Sequence, residues 1–442
     1  MSGMAIASGL IEQEARALLT RLARVRPFAL HETMVPAAAL APAAQVRIER
    51  FLIDGRADLG CQVVNFLRWM RGPGRQAPVP EKQRRLTLIR LRFNDVLSQF
   101  DLFTEVITQR SEHETGVWLS GLDVLARDAL GLPGDYFEPP PVICYLARGP
   151  GAAIRRARTR LPGGDENPVA IIRVPRERMV GHGIGASLVH EVGHQGAALL
   201  DLVTSLRPAL ASARDTGRGP HRAAWPWFER WISEVVADLW AVSQLGIGAP
   251  LGLIGVVSLP RWFVFRFGGE DPHPVPWIRV LLSCALGDAL YPDPQWRALA
   301  EGWRAMYPID GVEAGQRTTL DQLTAALPAF ADVLLGHRPA ALHGARLGDV
   351  LRRPDRGAGA LLHTFDTWRA DPGLLYTTAP SITFAVLGQA RAAGRLTPER
   401  ESRMVGELLT QWALRSTLDT SAICADRNLT PALPARVPLS IT

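Results

Sequence analysis

Lysine is almost missing from this chain of 442 residues. Of 49 basic residues only Lys82 is a lysine, so 48 are arginines. A skew that strong reads as a compositional habit rather than a binding device, which weakens the formal net charge of +6 as a clue. Released counterions reward basic surfaces on nucleic acid, but no RRM, KH, zinc-finger or helix-turn-helix pattern accompanies the charge. The densest groups are Arg84, Arg85, Arg90 and Arg92, then Arg155, Arg156, Arg158 and Arg160. Both read as solvated faces or loops, and no nucleic-acid partner is expected. Cysteine is scarce as well. Cys61, Cys144, Cys284 and Cys424 lie far apart, which excludes a CxxC zinc knuckle and speaks against a disulfide framework. Scattered thiols suit a reduced, cytoplasmic compartment. At the start there is no basic n-region, and Glu12 and Glu14 follow a short apolar patch, unlike a secretory signal.

Long uninterrupted apolar runs are lacking too. Leu239 to Pro260 carries no charge and has the length of a bilayer span. Yet four glycines, Pro250, Pro260, Gln244 and two serines break it up. It reads as a buried helix end, a turn and a second buried stretch, with no membrane partner expected. What is present is ordinary globular composition, 47% hydrophobic and 21% charged.

Three regions follow along the chain. Residues 1–134 read as helical: IEQEARALLTRLARV has apolar residues at three- and four-residue spacing. A Pro- and Gly-rich connector, RGPGRQAPVPEK, separates it from a long amphipathic helix, RRLTLIRLRFNDVLSQFDLFTEVITQR. A further helix, VWLSGLDVLARDALG, stops at Gly131 with Pro133 behind it. Residues 135–309 change character. PPPVICYLA and NPVAIIRVPRE read as strands bounded by prolines, and RGPGAAIRRARTRLPGGDE between them as a mobile basic loop or short helix. GHGIG reads as a glycine-rich turn, with a helix from about Ala186. Two more helices are expected, over Trp227–Ser243 and Trp277–Ala289. Residues 310–442 are helical again, in TTLDQLTAALPAFADVLLG and TPERESRMVGELLTQWALRS, before an extended tail, CADRNLTPALPARVPLSIT. The fold class expected is α+β, mainly helical.

The chemistry concentrates at His190-Glu191-Val192-Gly193-His194. Residues four apart share one helix face, so His190 and His194 can hold one metal ion with Glu191 beside an open coordination position. Apolar neighbours (Ile184, Leu188, Val189, Ala197, Leu199) bury this helix, where two histidines and a glutamate are costly without a partner. Gly193 fits a helix that another backbone passes closely. His31-Glu32 and His113-Glu114 repeat the first two letters but lack the second histidine, and read as surface residues. A catalytic zinc needs a third protein ligand. Position 200 is Leu200 and 204 is Thr204, so the metzincin spacing fails. On PWFERWISEVVADLWAVS, Glu234 and Asp238 stand four apart on an otherwise apolar face. Glu234 is the expected ligand. Asp238 is expected to accept a hydrogen bond from the non-ligating nitrogen of a zinc histidine, fixing its tautomer. Glu229, beside Arg230, is the rival and reads as paired or solvated.

With His190-Glu191-x-x-His194 followed by Glu234-x-x-x-Asp238, the sequence resembles the gluzincin metallopeptidases, the thermolysin-like branch of the zincins. The resemblance covers about Val169 to Leu290. It implies a zincin-like core, a small mixed sheet over an active-site helix, flanked by helical N- and C-terminal regions. It also implies Zn2+ held by His190, His194 and Glu234, with Glu191 as general base in peptide hydrolysis. No G-x-x-E-N motif precedes His190, so endopeptidase is preferred to aminopeptidase. Several gluzincins also carry a His-Pro followed shortly by an arginine, here His273, Pro274 and Arg279. Either cation would serve as a donor to the developing oxyanion. The alternative for Arg279 is a structural ion pair, and for His182 a plain entry turn. VAIIRV is expected to be the sheet edge that pairs with a peptide or protein substrate. Two other classes stand beside this one: a closed structural zinc site in an interaction protein, and a membrane-associated peptidase. The tail after Cys424 is long enough to reach back over a cleft.

Overall fold

A computed structural model describes residues 3–425, apart from positions 31, 150, 177–180, 217–219 and 269–270. The expected extended tail from 426 on, the side chain of Cys424, His31 and the side chain of His113 lie outside the described residues.

The N-terminal helices are α1 (Gly3–Arg24), α2 (Pro42–Arg71), α3 (Val79–Thr108) and α4 (His113–Leu130). The connector between α2 and α3 falls on the Pro/Gly-rich stretch, and Gly131 ends α4. Three strands follow: β1 (Val142–Ala147), β2 (Ala153–Arg155) and β3 (Ala170–Pro175). Their order is β1-β3-β2, parallel between β1 and β3 and antiparallel between β3 and β2. The protein is therefore mainly helical with one small mixed sheet. Two expectations are corrected here. VAIIRV is the central strand, with Ile171–Arg173 already paired to β2, so the open edge on that side belongs to β2. And the basic segment between the two long strands is neither a plain loop nor a helix. It contributes β2 and then doubles back, with Arg160 bridging Glu166.

The sheet separates two apolar cores. Ile143, Val169 and Ile171 join α1–α3 on one face. Val142, Cys144, Ile172 and Val174 join α4 and everything after the sheet on the other. This second core is continuous through α5 (His182–Leu199), α6 (Leu202–Thr216), α7 (Trp225–Leu245), α8 (Gly248–Val257), α9 (Arg261–Val264) and α10 (Pro276–Leu290). It runs on through α11 (Pro294–Met306), α12 (Ala314–Gly336), α13 (Leu347–Leu351), α14 (Ala358–Ala370), α15 (Gly373–Thr377), α16 (Pro380–Ala392) and α17 (Pro398–Ala425). Of the N-terminal helices, α1–α3 thus pack in the first core and α4 in the second. Helix α4 lies against α17 from the far end of the chain. The uncharged stretch from Leu239 forms the end of α7, a turn at Gly246 (φ 54°) and α8. Among the described residues, no helix is long and apolar enough to cross a membrane.

Candidate metal centre

Helix α5 carries His190, Glu191 and His194. It begins four residues earlier than the sequence suggests, because a residue 219 positions away stabilises its first turn. Glu401 of α17, itself buried, accepts from the backbone N–H of His182 at 2.9 Å and meets His182 Nδ1 at 2.8 Å. A carboxylate at a helix N-terminus satisfies orphan N–H groups and the helix dipole together. GHGIG is accordingly mostly helix, entered through Gly181 at φ 71°. Downstream, Gln195 accepts from the N–H of Ala157 at 2.9 Å, which ties the same helix to the segment after β2.

Helix α7 crosses α5 closely enough to exclude side chains. A Cβ on Gly193 would lie 2.9 Å from the Ala237 backbone and 2.8 Å from Trp240. That approach brings Glu234 and Asp238 opposite the two histidines. Glu234 Oε2 stands 3.3 Å from His190 Nε2, and Glu234 Oε1 stands 3.5 Å from His194 Nε2. Ligand atoms about 2.1 Å from a tetrahedral zinc are roughly 3.4 Å apart, so these separations match a shared ion. One donor atom from each of His190, His194 and Glu234 lies within 4.8 Å of the others, and this group could hold a metal ion. Asp238 Oδ1 meets His190 Nδ1 at 2.8 Å, which leaves Nε2 facing the ligand group.

Arg279, in the first turn of α10, is buried and grips Asp238 with a two-pronged contact, Nε at 2.7 Å and Nη2 at 2.9 Å. Nη2 also reaches Glu234 at 3.5 Å and His190 Nε2 at 3.3 Å. Arg279 is thus ion-paired with Asp238 while also lining the cavity beside His190 and Glu191. His273 differs: it is exposed, its Nδ1 held by Asp271 at 2.7 Å and its Nε2 3.4 Å from Glu234 Oε2. Its ring is thus fixed at the rim of the ligand group. Glu229 is engaged elsewhere, 3.3 Å from Arg214.

Burial and mutual charge shift the groups of the centre in different directions. Burial alone would depress the His190 pKa, but Asp238 and Glu234 override it and lift it to about 9. Burial and the neighbouring His190 push His194 down to about 4. Burial raises Glu234, yet contacts with His190 and Arg279 outweigh it and bring it to about 2. Asp238, also buried, is held below the usual carboxylate range by Arg279 and His190. Glu191 goes the other way, raised by burial and then by the charge of Glu234 against the lowering pull of His190.

His190, Glu191 and His273 border a cavity of about 430 Å³. Ala241, Val242, Ala249, Leu253, Val256 and Phe263 give it an apolar lining, and Gly151, Ala152 and Arg173 of the sheet region line it as well.

Sequence reasoning missed Asp271, Glu401 and Arg173. Asp271 had a signal, since an Asp two residues before His273 commonly bonds forward in a turn. Glu401 had none, because its partner is remote in sequence. Compared with family models, curated proteins and solved structures, the chain matches none. The fold and site together define a mainly helical protein with a half-buried His-His-Glu group that could hold a metal ion.

Proposed function

We propose that the chain is a zinc peptidase of the gluzincin kind, with a zincin-like core and an endopeptidase action. The observation that carries this reading is the meeting of His190, His194 and Glu234 at ligand spacing, with Glu191 beside them on a cavity wall. His190, His194 and Glu234 would hold the metal, and a bound zinc would supply Lewis-acid polarisation and an acidified water. Glu191 takes a proton from the attacking water and returns it to the leaving amine. His273, its Nδ1–H held by Asp271, donates from Nε2–H to the developing oxyanion as an imidazolium. Asp238 keeps His190 in the tautomer that presents Nε2, and Arg279 keeps Asp238 in place. The apolar chamber toward α8 takes an apolar substrate side chain. An extended peptide pairs with the open edge of β2, which replaces VAIIRV in that role.

Dialysis against a chelator should abolish cleavage of a casein or peptide-library substrate, and stoichiometric zinc should restore it. Full activity in protein shown to be metal-free would sink the reading. A closed structural site is the weaker alternative, because His190 of the ligand group, with Glu191, borders a cavity rather than a packed core.

A further inference from the structure

The arginine cluster around Arg155 has a structural setting that the proposed chemistry does not use. Arg155, Arg156 and Arg173 line a second cavity of about 420 Å³, together with Tyr145 and Thr159. Arg173 projects from the central strand, paired across it with Tyr145 of β1 and Ala153 of β2. It is half-buried, and its Nε is buried without a hydrogen-bond partner. Among the described residues none of the three arginines carries an ion pair. The nearby acid is Glu105 on α3, whose charge reaches Tyr145. A half-buried guanidinium whose Nε lacks a hydrogen-bond partner is incompletely satisfied, and a carboxylate completes it with paired N–H···O bonds.

Position says what that carboxylate belongs to. Arg173 lines this groove and also the cavity of the metal centre. The adjoining stretch is shared in the same way, with Gly151 and Ala152 on the metal side and Ala153 in the groove. A chain lying along the open edge of β2 would pass from one to the other. We infer that the groove of Arg155, Arg156 and Arg173 is a subsite for an acidic side chain of the peptide substrate, next to the scissile position. The inference rests on the peptidase reading. Nucleic acid fits less well, since the groove is small and offers Tyr145 as its single aromatic face.

Binding tests this apart from cleavage. The probe is a fluorescein-labelled decapeptide of Gly, Ala and Leu with three glutamates, paired with its glutamine counterpart. Both are titrated by anisotropy into zinc-loaded Glu191→Gln protein at low salt. The acidic peptide should bind at least tenfold tighter. That preference should vanish on adding Arg173→Ala, or the exposed pair Arg155→Ala and Arg156→Ala, with zinc content unchanged. Equal affinity for the two peptides, a preference that survives both sets of changes, or no binding at all overturns the inference. Tighter binding of a fifteen-nucleotide single strand than of the acidic peptide also overturns it. If wild type cleaves nothing while the acidic preference holds, the peptidase reading fails, and the groove is overturned as a substrate subsite while its binding of acidic peptide is shown.

Discussion

His190 and His194 share one helix face, yet their surroundings shift them in opposite directions. At neutral pH the first is protonated and the second is not, because Asp238 and Glu234 lift His190 to about 9 while burial and His190 drive His194 to about 4. A metal must therefore displace a proton from His190. Calorimetry of zinc binding at pH 7 in buffers of different ionisation enthalpy should show close to one proton released, with affinity rising toward pH 9. No proton release would contradict the arrangement. Stability follows the same group. The folded value lies above the ordinary 6.5, so the contribution of His190 is complete below that pH and is lost as pH rises through about 9. Metal-free protein should accordingly melt lower at pH 9.5 than at pH 6, if this group dominates that window. Asp238→Asn should weaken zinc binding about 10- to 100-fold in a chelator competition. An unchanged affinity would remove Asp238 from the account. These residues were legible as a motif because helical periodicity is local. The two-pronged contact of Arg279 was not, since it depends on how α10 meets α7.

At the scale of elements, the centre depends on α5 and α7 lying almost in contact. Gly193→Ala should lower the melting temperature and speed zinc loss to a chelator. Overpacking costs about 1–3 kcal/mol and the better helix propensity returns about 1 kcal/mol. The Ala237 backbone at 2.9 Å cannot rotate away. A more stable variant would mean that α7 yields freely. Glu401→Ala should expose the first turn of α5, costing about 1–3 kcal/mol for the unsatisfied N–H. Hydrogen exchange over residues 182–186 should quicken, and unchanged protection would show that the turn stands alone. Sequence patterning located the long helices because their apolar spacing is self-contained. It misplaced the start of α5 because Glu401 lies 219 residues away. It also missed β2, a three-residue strand whose pairing exists only once β3 is beside it, and so it took β3 for the edge.

In the whole molecule, helices before and after the segment that carries the His-His-Glu group play unequal parts. Helices α1–α3 form their own core against one face of the sheet, while α11–α17 belong to the core that holds the centre. The expected three-region division follows composition, but composition cannot register that α17 folds back on α4 and caps α5. The central claim is hydrolysis by a metal centre in which Glu191 moves the proton. Its most direct test is metal content and peptide cleavage measured side by side for wild type and Glu191→Gln. The expected result is about one zinc per chain in both, with cleavage in wild type reduced at least a thousandfold in the variant. A Glu191→Gln protein that binds zinc and cleaves at the wild-type rate would contradict it.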